Sequence, residues 1–446
     1  MAYFTILMSG LLCLAAVFRR GTRWAFLTVY LAVFSFVPTT FYARLQHLPA
    51  SSCEDMALFS LGVGLVLKDI RRWRFSRMDC WIAMFVIAVS WCEHLPYGNT
   101  GALLALEGTI LGCVVPYMLG KLLLERPGMR EESVRRLIIL VAVASVLAMP
   151  EFFLKWNPYI HFWSHFFPGQ FQFTQYRRGF GRLGGPYNGA EQAGMVLLMT
   201  LILAFWLRGV RRRERRPLKY GMFIVVSLLV TILMTQSRGP WIGLIVGLFV
   251  ASIGRARRPI RRAVLVFGLL LFVGVPLHSQ YMDYLRTAKA EVGSETQTAQ
   301  YRQLMLDNYV PVAKLGGAWG WGNMFPVIQG QTSIDNEFLL IWVTAGYVGL
   351  TALILIFVEA IISLGLLGMK ARSYQDRYLT FSLLGIVIGM AVCLYTVWLS
   401  AQDYQLFFII AGWSQSIRLA KAADLQPGVE TVNDGLPQAV GLQVYT

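Results

Sequence analysis

This chain reads as an all-α polytopic membrane protein, a bundle of about 12–14 transmembrane helices with two long loops on one side. Three observations lead there. Of 446 residues, 56% are hydrophobic and 14% charged, with a mean hydropathy of +0.54, whereas soluble chains carry about a quarter charged residues. The apolar residues come in long blocks, and a bilayer crossing needs about 20 of them. The blocks lack the period-2 alternation of barrel strands, which leaves the helix as the structure that satisfies its own backbone in lipid.

In chain order, thirteen spans fall at roughly 3–18, 24–43, 55–67, 80–92, 101–124, 137–154, 191–208, 219–237, 239–254, 263–277, 339–369, 379–400 and 404–418. The first has no basic segment before it and no cleavage site, so it reads as an anchor. The third and fourth are short and flanked by charge, as tilted or interfacial helices are. The eleventh is long enough to kink, with Gly346 and Gly349 as soft points. The polar tail 421–446, with Pro and Gly, reads as disordered. The chain thus divides into N-terminal helices 1–154, a second membrane unit 155–420, and the tail.

The net charge of +16 follows the topology. Seven clusters, among them RRGTR (19–23), KDIRRWRFSR (68–77), RGVRRRERRPLK (208–219) and RARRPIRR (255–262), together hold 30 of the 40 basic residues. Such alternation marks cytoplasmic connections rather than a nucleic-acid surface. The N-terminus and the loops 155–190 and 278–336 then lie outside. The first loop is packed with aromatics, suiting an interfacial belt or a platform for a lipid carrier or sugar rings. The second carries a helical stretch, TAQYRQLMLDNYVPVAKL, and a glycine-rich turn, GGAWGWGN (316–323).

Several chemistries are excluded. No glycine motif follows a strand as a nucleotide loop requires. The five histidines have no metal-like spacing, and no Ser-His-Asp signature exists. Glu107 and Glu359 fall within spans, where acids mark a proton path or a hydrogen-bonded structural group. The informative residues are outer arginines. Arg44, Arg177, Arg178, Arg182, Arg238, Arg286 and Arg302 all fall on that side. Arg238 sits in MTQSRGPWIG, an abrupt hairpin between two spans, with Gly239 and Pro240 suited to the turn. It reads as a snorkelling side chain or an anion clamp. Arg182 opens RLGGPYNGAEQAG, a glycine turn running into a helix whose free N–H groups favour an anion. Glu191, just inside that helix, complements its dipole. In SIDNEFLLIWVTAGYVGL, Asp335 precedes an apolar helix beside Asn336, suiting it to cap the helix or act as a general base.

Four pieces in this order, RLGGPYNGAEQAG, TQSRGPWIG, AQYRQLM with GGAWGWG, and IDNEFLLIWVTAGYVGL, resemble the O-antigen ligase/polymerase superfamily, which includes exopolysaccharide repeat-unit polymerases. The resemblance covers about residues 170–365. It implies a glycosyltransferase of the bacterial inner membrane, without metal, cofactor or nucleotide sugar, whose active site faces the periplasm. The implied donor is an oligosaccharide on undecaprenyl diphosphate, with membrane lipids as surroundings and flippase and chain-length regulator proteins as candidate partners. Arg182 and Arg238 match positions that face the donor diphosphate in that family, with Arg177 and Arg178 competing for the first. Arg302, Asn336 and Glu191 complete the expected binding set around catalytic Asp335, Arg182 and Arg238. Ligases of the family carry histidine where Asp335 stands, so the resemblance leans toward a polymerase. A ligase acting on lipid A core or protein, and a glycan-lipid transporter or flippase, are the alternatives; a polymerase needs only its own lipid-linked substrate as acceptor.

Overall fold

A computed structural model describes residues 1–43, 50–170, 172–177, 179–215, 221–287, 295–331 and 333–424. Within them the protein is a helical bundle with two short strand pairs. The chain order is α1 (Ala2–Arg20), α2 (Thr22–Phe36), α3 (Cys53–Gly64), α4 (Arg77–Leu123), α5 (Met129–Leu154), α6 (Pro158–Ser164), α7 (Ala190–Arg213) and α8 (Gly221–Met234). There follow α9 (Arg238–Arg255), α10 (Pro259–Thr287), α11 (Glu295–Leu315), α12 (Glu337–Lys370), α13 (Tyr374–Leu394) and α14 (Ala401–Asp424). Strands Tyr42–Ala43 and Ser51–Ser52 pair antiparallel, as do Tyr176–Arg177 and Phe180–Gly181.

Among the described residues seven helices are long and apolar enough to cross a membrane, and Thr22–Phe36 and Gly221–Met234 are shorter apolar helices. The protein is a multi-pass membrane protein. The expected spans 80–92 and 101–124 lie in α4, two helical segments joined across a kink at Gly98, φ 63, ψ −155, and the stretch Arg77–Leu123 counts as one long apolar helix. The spans expected at 55–67, 239–254 and 404–418 became α3, α9 and α14, too short or too polar to count by length and composition alone. The expected second loop begins later than 278, because α10 continues helical to Thr287.

The bundle centres on α7. Its apolar stretch is 83% buried, packed by α5, α8, α9, α13 and α14, whereas that of α10 is 11% buried. Helix α9 crosses α13 backbone to backbone. A Cβ on Gly243 would stand 2.6 Å from the Gly389 carbonyl oxygen, and one on Gly247 2.7 Å from that of Gly385. Small residues spaced four apart permit this approach, which gains dispersion contacts that lipid cannot replace. A second such crossing joins α4 to α14 at Gly120 and Gly412.

Gly346, expected as a soft point of α12, is its break, at φ 66, ψ −163. The GGAWGWG turn fills the gap: Tyr347 N donates to Gly317 O at 3.2 Å, Val348 N to Ala318 O at 3.0 Å, and Trp321 N to Val343 O at 3.0 Å. The break exposes helix N–H and carbonyl groups, and the turn satisfies them. Gly349 remains helical, so only one of the two expected soft points bends. The mid-span acid Glu359 is paired, accepting from Arg418 Nη1 at 2.6 Å, as a structural acid does.

Candidate active site

Two segments from distant parts of the sequence meet where α7 begins and α8 ends, and a third carries an arginine whose charge reaches them. The first is the turn 182–189. Its sharpness requires Gly185 at φ 58, in the left-handed region open to glycine. Two buried backbone donors of this turn, Gly184 N and Gly185 N, give hydrogen bonds of 2.9 and 2.8 Å to Glu151 Oε2, at the end of α5. Thr174 Oγ1 donates to the other oxygen of Glu151 at 3.1 Å. Asn157 caps α6 with Oδ1 and donates from Nδ2 to Gly185 O at 2.9 Å. Glu151, 2% exposed, is thus the anchor of the turn. Sequence reasoning missed it: it closes an apolar span, and its partners lie 33 and 34 residues away.

The second segment is the α8–α9 connection. Gln236, not a glycine, makes the reversal, at φ 50. The sequence pointed to Gly239 and Pro240 for this turn, but both stand in the first turn of α9. Proline suits that position because its missing N–H would go unpaired there. Gly239 serves packing, since a Cβ on it would lie 2.6 Å from Thr396 Oγ1. Arg238 is the first residue of α9 and is exposed.

Arg182 ties these two segments together. It is 8% exposed, and its guanidinium donates from Nη2 to Glu191 Oε1 at 2.5 Å, from Nη1 to Gln175 Oε1 at 2.6 Å and from Nε to Thr235 O at 3.3 Å. Glu191, expected to complement the helix dipole, therefore also neutralises Arg182. Arg177 reaches the same turn, donating from Nη1 to Gln236 O at 2.9 Å. Burial lowers the Arg177 pKa, and the charges of Arg182, Arg238 and Arg302 lower it further, with Glu191 opposing them. Four arginines therefore share one electrostatic neighbourhood. Arg44 and Arg178 lie outside the described residues, as does the side chain of Arg286. A cavity of about 30 Å³, the size of one water, sits beside Arg182 among Glu151, Thr174, Gln175 and Gly184.

The third segment is α11 with the 331–336 approach to α12. Tyr301 Oη donates to Ser333 O at 3.0 Å, while Met305, Tyr309 and Ala313 pack on Ile334, Leu339 and Val343. Arg302 follows Tyr301 and carries a buried Nε that meets no acceptor among the described residues. Buried donors are almost always paired, so this one is open to an acceptor from outside the described residues. The helix cap is Asn336 rather than Asp335. Asn336 Oδ1 accepts from Leu339 N at 3.0 Å, and the side chain is 3% exposed. Asp335 is partly exposed and its carboxylate accepts from Ser333 Oγ at 2.9 Å. Glu337, not singled out in the sequence, is buried and accepts from Leu399 N at 2.9 Å, locking α12 to the turn before α14.

The arrangement combines clustered guanidiniums, suited to a phosphate-bearing ligand, with a partly exposed carboxylate on the approach to α12, against which the helix carrying Arg302 packs. Among the described residues no group of acids, histidines or cysteines is placed to hold a metal ion. Residues 222–354 match the family model Wzy_C, described as O-antigen ligase. That stretch runs from α8 into α12 and contains Arg238, Arg302, Asp335 and Asn336; Arg177, Arg182 and Glu191 lie before it. No curated protein matches the chain. The match supports the O-antigen ligase/polymerase superfamily and, with it, glycan transfer of that type.

Proposed function

Proceeding from that superfamily, we propose that the chain is a glycosyltransferase that polymerises oligosaccharide repeat units carried on undecaprenyl diphosphate, working on the periplasmic side of the inner membrane. The observation that carries this reading is that Arg182, Arg238 and Arg302 all act electrostatically on Arg177, and that Arg302 has a buried donor that meets no acceptor among the described residues. Mutual repulsion among four guanidiniums is relieved by a diphosphate, which accepts bidentate hydrogen bonds. In the transfer, an acceptor sugar hydroxyl attacks the anomeric carbon of the donor glycan. The bond from that carbon to the diphosphate oxygen breaks, and the lipid diphosphate leaves with the electron pair. Arg238, Arg177 and Arg302 stabilise the leaving charge, while Arg182, held by Glu191 and the Thr235 carbonyl, fixes the turn beneath them. Asp335 orients the attacking hydroxyl and takes its proton.

Ligation to a separate acceptor is the second reading, favoured by the description of the matched family as O-antigen ligase. The two differ in what accumulates when the protein is removed. A polymerase leaves single repeat units on the lipid carrier; a ligase leaves long polymer there. Mass analysis of extracted carrier lipids from a deletion strain decides between them, and normal surface glycan in that strain would reject both.

A further inference from the structure

A second cluster of arginines lies at the far end of α9. An 18-residue helix is about 27 Å long, close to the hydrocarbon thickness of a bilayer, so Arg238 and Arg255 occupy opposite ends of the bundle. At the Arg255 end, α9 turns into α10 through RARRPIRR. Arg255 lies over the Tyr378 ring, its carbon 5.6 Å from the centroid, and Arg377 Nε donates to Gly254 O at 3.1 Å. The remaining four, Arg257, Arg258, Arg261 and Arg262, surround one open groove of about 300 Å³, with Leu265 completing its wall. Among the described residues none of these four makes an ion pair or a side-chain hydrogen bond. Nor can a neighbour in sequence neutralise them: no Asp or Glu occurs between Glu214 and Asp283. Orientation in the membrane accounts for basic residues near this end, but not for four guanidiniums gathered around a single groove with no carboxylate.

The apolar surface beside the groove is equally unpartnered. Ile260, Val264 and Leu265 are 69%, 68% and 58% exposed, and further along α10 Leu271 and Phe272 are 66% and 79% exposed. Phosphate-binding groups at the head of a long bare apolar helix match one chemistry, an anionic headgroup joined to acyl chains. We infer that the α9–α10 hairpin binds an anionic phospholipid, its phosphate among Arg257, Arg258, Arg261 and Arg262 and an acyl chain along α10 from Leu265 onward. The lipid neutralises the cluster and supplies the packing that α10 lacks from the bundle. This site does not depend on glycan transfer.

The test uses full-length protein in phosphatidylcholine vesicles doped with phosphatidylglycerol that carries a photoreactive acyl chain. Peptide mapping after illumination is expected to find the label concentrated within 256–272. Excess inorganic phosphate is expected to leave it in place; displacement by phosphate would assign the groove to a free anion and overturn the lipid. Equal labelling by a photoreactive phosphatidylcholine, or label spread evenly over exposed helices, would overturn it as well. Replacing the four arginines by glutamine is expected to lower labelling of the segment by at least about tenfold, because each basic residue near an anionic surface adds to the attraction. The comparison of the two lipids on unaltered protein stands even where that variant inserts poorly.

Discussion

At the residue scale, the arginines divide by what already holds them. Arg182 gives its guanidinium to Glu191, Gln175 and Thr235, Arg238 stands exposed at the head of α9, and Arg302 has a buried donor that meets no acceptor among the described residues. Arg238→Lys keeps the charge but loses the planar fork. If Arg238 acts on the leaving diphosphate, this variant inserts normally and loses about 2.7–4 kcal/mol of transition-state stabilisation, the scale of one lost oxyanion donor. Polymer yield in a complemented deletion strain reads this out, and near-normal polymer would remove Arg238 from the clamp. Asp335 gives a sharper case. Because Asn336 caps α12, Asp335→Asn leaves the cap intact and removes a carboxylate alone. Unchanged thermal unfolding, with polymer lost and lipid-linked single repeats accumulating, is the expected result. Full-length polymer from Asp335→Asn would end the assignment of Asp335 as base.

At the scale of elements, two devices hold the site in place. One is the carboxylate of Glu151 under the 182–189 turn. Glu151→Ala strands the amides of Gly184 and Gly185 without acceptors, and a buried donor left unpaired costs about 1–3 kcal/mol. Melting temperature and polymer yield should fall together, while Glu151→Gln, which keeps an acceptor oxygen, should recover most of both. Failure of Ala to differ from Gln would mean that the turn holds its shape unaided. The other device is the glycine crossing of α9 and α13, which sets the height of Arg238. Gly243→Val puts side-chain carbon where 2.6 Å separates the Cβ position from the Gly389 carbonyl oxygen. Overpacking of this kind costs about 1–3 kcal/mol. Lower thermal stability and lower activity are expected, and Gly365→Ala, with nothing within 4 Å of its Cβ position, is the silent control.

For the whole molecule, the basic clusters and the arginine site fall at alternate ends of successive helices: α7 runs from the site to Arg213, and α9 from Arg238 to Arg255. Loops 155–190 and 278–336 should therefore both react with an impermeant thiol reagent added from outside, at cysteines placed one at a time in each. Labelling that requires an opened inner face would reverse the orientation and remove the periplasmic site with it.

Composition and block length alone determined the membrane bundle, because backbone desolvation in lipid leaves a long apolar segment only one economical structure. The sequence also singled out the outer arginines, among them Arg177, Arg182, Arg238 and Arg302, since charge beside apolar spans is rare enough to stand out. Its local rules failed where distant partners decide. Asn336 rather than Asp335 caps α12 because the chain approaching the helix is fixed by Tyr301 and Met305 of α11, and that sets which residue meets the Leu339 amide. Gly239 packs against Thr396 instead of turning the chain. The count of spans differs because several expected spans are too short or too polar to cross by length and composition alone, and because the two helical segments of α4 run on across the Gly98 kink. Glu151 and the Arg182–Glu191 pair rest on contacts between the end of α5, the 182–189 turn and α7, and the shared electrostatic neighbourhood of the four arginines joins residues far apart in sequence. Helix periodicity describes which face of a segment is apolar; which side chains meet at its ends is settled only when the helices pack.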